Sequence, residues 1–160
     1  MAPSKAGSPA PDFELRDQHG RLTRLSALLQ DGPVVLFFYP AADTPGCTME
    51  ACHFRDLDAE FAALGAQRVG ISCDTVEDQK RFAERYRLDY PLLADVDGKV
   101  ASAYGVKRGL LGPIAPVKRS TFVIDQEGVV LDVISSEVKM NVHADQALET
   151  LRTLQGANRK

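Results

Sequence analysis

Between two prolines, Pro33 and Pro40, the chain reads PVVLFFYP. Its side chains are β-branched or aromatic, and no polar residue alternates with them. Successive side chains of a strand point to opposite faces. An unbroken apolar run of this kind therefore predicts a central strand covered on both sides. It is far shorter than the ~20 apolar residues that a membrane-spanning helix needs. Covering both faces takes two layers of helices, so this one segment already points to an α/β sandwich.

The flanking patterns supply the rest of such a fold. DFELRDQHGRLTRLS predicts an N-terminal β-hairpin turning at His19-Gly20, and SALLQDG a short helix with Ser26 as N-cap and Gly32 as its stop. From Pro45 to Gly65 the spacing of Phe54, Leu57, Phe61 and Leu64 predicts one helix. AQRVGISCD reads as a second buried strand. Thr75, with Asp78 three residues on, caps a helix running to Arg87. DYPLLADVDGKVASAYGV gives a short strand and a short helix, and STFVIDQEGVVLDVISS a hairpin turned at Gln126-Glu127-Gly128. HADQALETLRTLQG closes the chain as an amphipathic helix with Gly156 just past its end.

The 160 residues are 44% hydrophobic and 26% charged, as expected of one domain (1–160) that needs no disulfide staples. Residues Met1 to Pro9 read as flexible. A formal charge of -3 gives no electrostatic reason to expect a nucleic-acid or membrane partner. The N-terminal segment has no apolar h-region, and three cysteines, an odd number, suit a reducing compartment. Both point to a cytoplasmic location.

Two of those cysteines stand five positions apart in YPAADTPGCTMEAC. Thr44 suits an N-cap and Pro45 the first helical position. Cys47 then occupies the third, where backbone N–H groups lack intrahelical partners and the helix dipole is positive. Both effects favour a thiolate, the nucleophilic form. The plainer reading makes Cys47 a small buried filler. On an ideal helix the Cα atoms of Cys47 and Cys52 lie roughly 8.7 Å apart and on nearly opposite faces, and a disulfide needs less than ~7 Å. The two can bond only if the helix unwinds.

PAADTPGC, with Pro40, Thr44 and Cys47, resembles the peroxiredoxin active-site motif Pro-x-x-x-Thr-x-x-Cys. The longer string YPAADTPGCTMEACHFRD resembles the peroxiredoxin Q, or bacterioferritin comigratory protein, subfamily. RSTFVID (Arg119–Asp125) is similar to that family's arginine-bearing strand. The resemblance implies a thioredoxin-like fold, a central mixed β-sheet flanked by helices. It also implies a thiol peroxidase that uses no metal or cofactor. Cys47 would be peroxidatic and Cys52 resolving, with Thr44 and Arg119 placed as donors to the departing oxygen. Pro40 would wall the pocket. The substrates would be hydrogen peroxide and organic hydroperoxides, the reductant thioredoxin, and the assembly a monomer or weak homodimer.

Other readings stay open at this level. Cys73, at the end of VGISCDT, is either a packing residue or a second candidate to resolve the sulfenate. His53 is a local base or a solvent-facing side chain. Leu110, Leu111, Pro113, Ile114 and Pro116 precede Arg119 and are expected at the pocket mouth, favouring bulky apolar hydroperoxides; core or subunit packing is the alternative. A metal site on Cys47, Cys52, His53 and Cys73 lacks the paired ligand spacing that zinc or an iron–sulfur cluster requires. A thiol–disulfide oxidoreductase would usually carry C-x-x-C, which is absent. A non-enzymatic redox sensor or holdase could use the same Cys47 chemistry without turnover.

Overall fold

In the computed structural model, residues 4–108 and 117–158 are described. The run Val34–Phe38 is strand β3, and each of its five residues is fully buried. Burying a Val, Leu or Phe side chain contributes about 1.5–3 kcal/mol, so this strand anchors both halves of the core. The others are β1 (Glu14–Arg16), β2 (Leu22–Arg24), β4 (Gln67–Ser72), β5 (Leu92–Ala94), β6 (Ser120–Ile124) and β7 (Val130–Ser135). They form one sheet in the order β2-β1-β5-β4-β3-β6-β7. Strand β4 runs parallel to both β3 and β5, while β6 is antiparallel to β3 and β7. The sheet is mixed, as expected, and its N-terminal hairpin joins it where Arg16 pairs with Ala94.

Alternation along β3 separates two cores. Val35, Phe37 and then Tyr39 face helices α2 (Pro45–Asp56), α3 (Asp58–Ala63), α4 (Val76–Tyr86) and α6 (Asn141–Asn158). Val34, Leu36 and Phe38 face α1 (Leu25–Leu28) and α5 (Lys99–Ala103). Phe37 stacks on Phe54 of α2 with ring centroids 4.2 Å apart. That contact fixes α2 across the C-terminal end of β3.

Three expectations are corrected. The single helix expected from Pro45 to Gly65 breaks at Leu57 into α2 and α3. The cause is distant in sequence: the buried Arg68 guanidinium donates to the Phe54 carbonyl (2.8 Å) and to Asp58 Oδ1. It takes over the carbonyl that a continuous helix would have offered to its own next turn. Ser26 is inside α1 rather than its N-cap; Asp12 Oδ1 instead accepts the Ser26 N–H at 2.9 Å. Gly156 lies within α6 rather than past its end. Of Met1 to Pro9, residues 1–3 lie outside the described residues; in the rest, Gly7 N–H donates to the Val130 carbonyl (2.7 Å), and Pro9 bridges to Val129.

Thr75 does cap α4, accepting the Asp78 N–H at 3.2 Å. The apolar run Leu110 to Pro116, expected at the pocket mouth, lies outside the described residues. No helix among those described is long and apolar enough to cross a membrane.

Candidate active site

The N-terminus of α2 carries the site. Thr44 is the N-cap residue with extended backbone, and Pro45 opens the helix. The Thr44 hydroxyl does not cap, however; it donates to the Ala41 carbonyl at 2.8 Å. The N–H groups of Gly46 and Cys47 keep their place at the positive end of the helix without a side-chain cap to take them. Cys47 is 1% exposed, at the third helical position. The connecting turn is held from below, since Asp74 Oδ2 accepts both the Ala42 N–H (2.8 Å) and the Ser72 hydroxyl (2.6 Å). Pro40, half-buried, sits at the start of this turn, two residues past β3.

Arg119 immediately precedes β6 and is 6% exposed. Its Nη2 donates to Cys47 Sγ at 3.4 Å, and its Nη1 donates to Glu50 Oε1 at 3.0 Å. Its backbone N–H donates to Glu137 Oε1, also at 3.0 Å. Burial works against the Arg119 cation, but the charges on Glu50 and Cys47 raise its pKa above the ordinary guanidinium value. A planar, permanently charged fork is the group that can serve two acceptors at once. Arg119 is thus no surface ion-pair residue. A hollow of about 320 Å³ reaches it from outside, lined among the described residues by Arg108, Lys118, Ser135, Ser136 and Glu137.

Gly46 permits this approach. A Cβ there would stand 3.2 Å from Arg119 Nη2 and 3.3 Å from Met140 Cε. Displacing the guanidinium by a few tenths of an ångström costs transition-state alignment, while alanine improves on glycine in a helix. Gly46→Ala is therefore expected to slow peroxide reduction roughly threefold to tenfold without lowering Tm. Stopped-flow kinetics and a thermal melt on the same sample check this.

Behind Arg119 lies a buried polar cluster that the sequence reading missed. Glu50 and His143 have no exposed surface. Burial pushes the Glu50 carboxyl up to about 8, against the lowering effect of Arg119. Glu50 is three residues after Cys47, a spacing that places both on one helix face, and that was the available signal. His143 approaches from α6, and nothing local marks it.

The other cysteines are placed differently. Cys52 is half-buried on α2, and burial raises its pKa. With α2 continuous over both residues, Cys47 and Cys52 are held apart as two thiols. Cys73 packs against the core on the other side of the sheet from Cys47, and burial raises its pKa too. His53 is partly exposed, and its Nε2 is 2.8 Å from Asp145 Oδ1 on α6. Of the residues anticipated, Cys47 and Arg119 are thus in direct contact, Thr44 and Pro40 frame the turn above them, and Cys52 stands back.

The family model described as AhpC/TSA matches residues 6–133. The chain belongs to the AhpC/TSA family of peroxiredoxins. Among solved structures this peroxiredoxin is similar to peroxidoxin BcpB from Mycobacterium tuberculosis, with a TM-score of 0.90 and 65% identity. That likeness covers 94% of this chain and 98% of the other. Chloroplastic peroxiredoxin Q of Sedum lineare is 43% identical over 148 residues, 92% of this chain and 78% of that protein. The Xanthomonas campestris bacterioferritin comigratory protein has a TM-score of 0.80 at 31% identity, covering 89% and 91% of the two chains. These likenesses place the peroxiredoxin in the peroxiredoxin Q subfamily, on a thioredoxin-like fold. Thiol peroxidase activity goes with that membership.

Proposed function

We propose that this protein reduces hydroperoxides in a two-cysteine cycle that begins at Cys47 and closes at Cys52. The observation that carries the reading is the Arg119 contact to a buried cysteine at a helix N-terminus. The Cys47 thiolate attacks the terminal peroxide oxygen. An S–O bond forms, the O–O bond breaks, and sulfur is oxidised to the sulfenic acid. The departing alkoxide takes a proton and leaves as the alcohol, or as water from hydrogen peroxide. Negative charge grows on that oxygen, within reach of the guanidinium and the helix N–H groups. The Thr44 hydroxyl has committed its proton to Ala41, so its lone pairs are left to accept the peroxide O–H. This makes Thr44 an acceptor that orients the substrate, not the donor first expected. Pro40 shields the sulfenate from water.

The Cys52 thiol then attacks the sulfenic sulfur, forming a disulfide and releasing water. Its path requires α2 to unwind. The break at Leu57 and the anchors on Ala51, from the Tyr90 hydroxyl (2.6 Å), and on Phe54, from Arg68, confine that unwinding to the first turns. Cys73 is the poorer partner, because the sheet lies between it and Cys47. Thioredoxin, by dithiol exchange, returns the enzyme to its reduced form in the cytoplasm, where the protein works as a monomer or weak homodimer. The Xanthomonas protein is described by its alkyl peroxide reduction activity. The apolar residues Leu110 to Pro116 suit a preference here for bulky apolar hydroperoxides.

Non-reducing peptide mapping after one equivalent of cumene hydroperoxide tests the cycle. The expected product is a Cys47–Cys52 link, with lost hydrogen-exchange protection in the first turns of α2. Cys47 trapped as sulfenic acid with Cys52 still free would replace this cycle with one closed by an outside thiol. Turnover with thioredoxin, its reductase and NADPH, run with cumene hydroperoxide and hydrogen peroxide in parallel, tests the reductant and the substrate preference. Equal rate constants for the two peroxides would count against the preference.

A further inference from the structure

One oxygen in the centre of the molecule is unaccounted for by this chemistry. Glu50 Oε2 is buried and has no hydrogen-bond partner among the described residues. It stands 3.5 Å from Nδ1 of His143, itself fully buried. We propose that Glu50 and His143 share a single proton, and that His143, a positioning residue, thereby keeps the Arg119 charge available to Cys47.

The hydrogen bonds fix the imidazole. His143 Nε2 faces the Ser136 carbonyl at 2.9 Å, which can only accept, so Nε2 carries hydrogen. In the neutral ring Nδ1 is then a lone pair. Two groups compete for it: the Thr121 hydroxyl at 2.8 Å and the Glu50 carboxyl. The charged or titratable groups facing the pair are Arg119, Glu137, the Tyr90 phenol on the Glu50 side and, beyond Arg119, Cys47. With a Cys47 thiolate, an Arg119 cation and one proton on the pair, the buried cluster is neutral. Removing that proton leaves a net negative charge on side chains with no exposed surface, which is costly.

The proton also decides what Arg119 does. Nη1 lies on Glu50 and Nη2 on Cys47. An ionised Glu50 competes with the thiolate and with the developing alkoxide for one guanidinium. A protonated Glu50 does not. Burial acts on both members in the direction this requires, raising Glu50 and lowering His143, so the shared proton resides mainly on the carboxyl and the imidazole serves as its acceptor. Losing the imidazole lowers the pH at which the pair gives up its proton, whichever member holds it.

The inference rests on Cys47 being the attacking thiolate, so the test has one arm that needs no peroxide. Nitrogen-15 NMR of the histidine rings in the full reduced chain is followed from about pH 6 to pH 10, with His143→Gln identifying the signal. The His143 resonances are expected to shift with a midpoint of about 8, the value of Glu50, and Glu50→Gln is expected to abolish that transition. Resonances that stay flat, or titrate unaltered in Glu50→Gln, overturn the proposal.

The second arm is the pH profile of the rate constant for hydrogen peroxide. The rate is expected to fall on the alkaline side as Glu50 ionises. His143→Gln keeps a donor for Ser136 but loses the Nδ1 acceptor, and it moves this fall to lower pH by roughly one unit. Thr121→Val, nearly isosteric, removes the competing hydroxyl and moves the fall to higher pH. Two variants that fold and leave the profile in place overturn the proposal. If no variant or wild type reacts with peroxide, the proposed function fails, while the NMR arm still decides the proton sharing.

Discussion

Replacing Cys47 with serine is expected to lower the rate constant for hydroperoxide by about 10⁴-fold or more, the scale seen when an enzyme loses its nucleophile. A serine hydroxyl is a far weaker nucleophile than a thiolate and cannot take its place. The variant should still fold, because Cys47 is one small side chain at the edge of a core held by Phe37, Phe54 and Phe61. Its melting temperature is expected to change only slightly. Cys52→Ser and Cys73→Ser are the matched controls, and both should carry out the oxidation step at close to the wild-type rate. Stopped-flow measurement of that step with hydrogen peroxide distinguishes the three. A Cys47→Ser protein that still consumes peroxide rapidly, or a Cys73→Ser protein that does not, would move the chemistry elsewhere.

Replacing Arg119 with methionine is expected to slow the same step by about 10²–10³-fold, the scale of losing one donor to a developing oxyanion. Methionine fills the buried space without charge. The loss has two parts. Sulfur loses the Nη2 contact at 3.4 Å, and the leaving oxygen loses its cationic partner. The cost to stability is smaller than the ~3–5 kcal/mol typical of breaking a buried ion pair. Glu50 is already biased toward the protonated form, and losing Arg119 removes what held its pKa down. Lysine at position 119 should recover only part of the rate. A single ammonium cannot bridge Glu50 and Cys47 as the guanidinium does. Comparing the two variants by stopped-flow kinetics and thermal melts checks both halves. Full recovery with lysine would mean that charge alone, without the fork geometry, accounts for the effect.

Where interactions are local, the sequence was legible. PVVLFFYP announced the central strand because burial on both faces forbids polar alternation. Thr44 and Pro45 marked the start of α2, and the count from them put Cys47 at its third position. The break at Leu57 was hidden because it is made by Arg68, reaching the Phe54 carbonyl from another strand. Position 26 carried the right residue type for a cap, but Asp12 performs the task from fourteen residues upstream. The site follows the same division. Arg119 was found only through the family resemblance, since nothing in its neighbours says that its side chain is buried. Glu50 reads like an exposed helical residue until Arg119 and His143 close over it. His143 lies on a helix more than ninety residues away, positioned by the packing of α6 against α2, β6 and β7.

On the proposed function, the atom that meets the peroxide is Cys47 Sγ. The most direct measurement is dimedone capture with mass-spectrometric mapping, on Cys52→Ser protein given one equivalent of hydrogen peroxide. The account predicts a single dimedone adduct, at Cys47, that is absent without peroxide. An adduct confined to Cys73, or an unmodified Cys47 after the peroxide has been consumed, would contradict it.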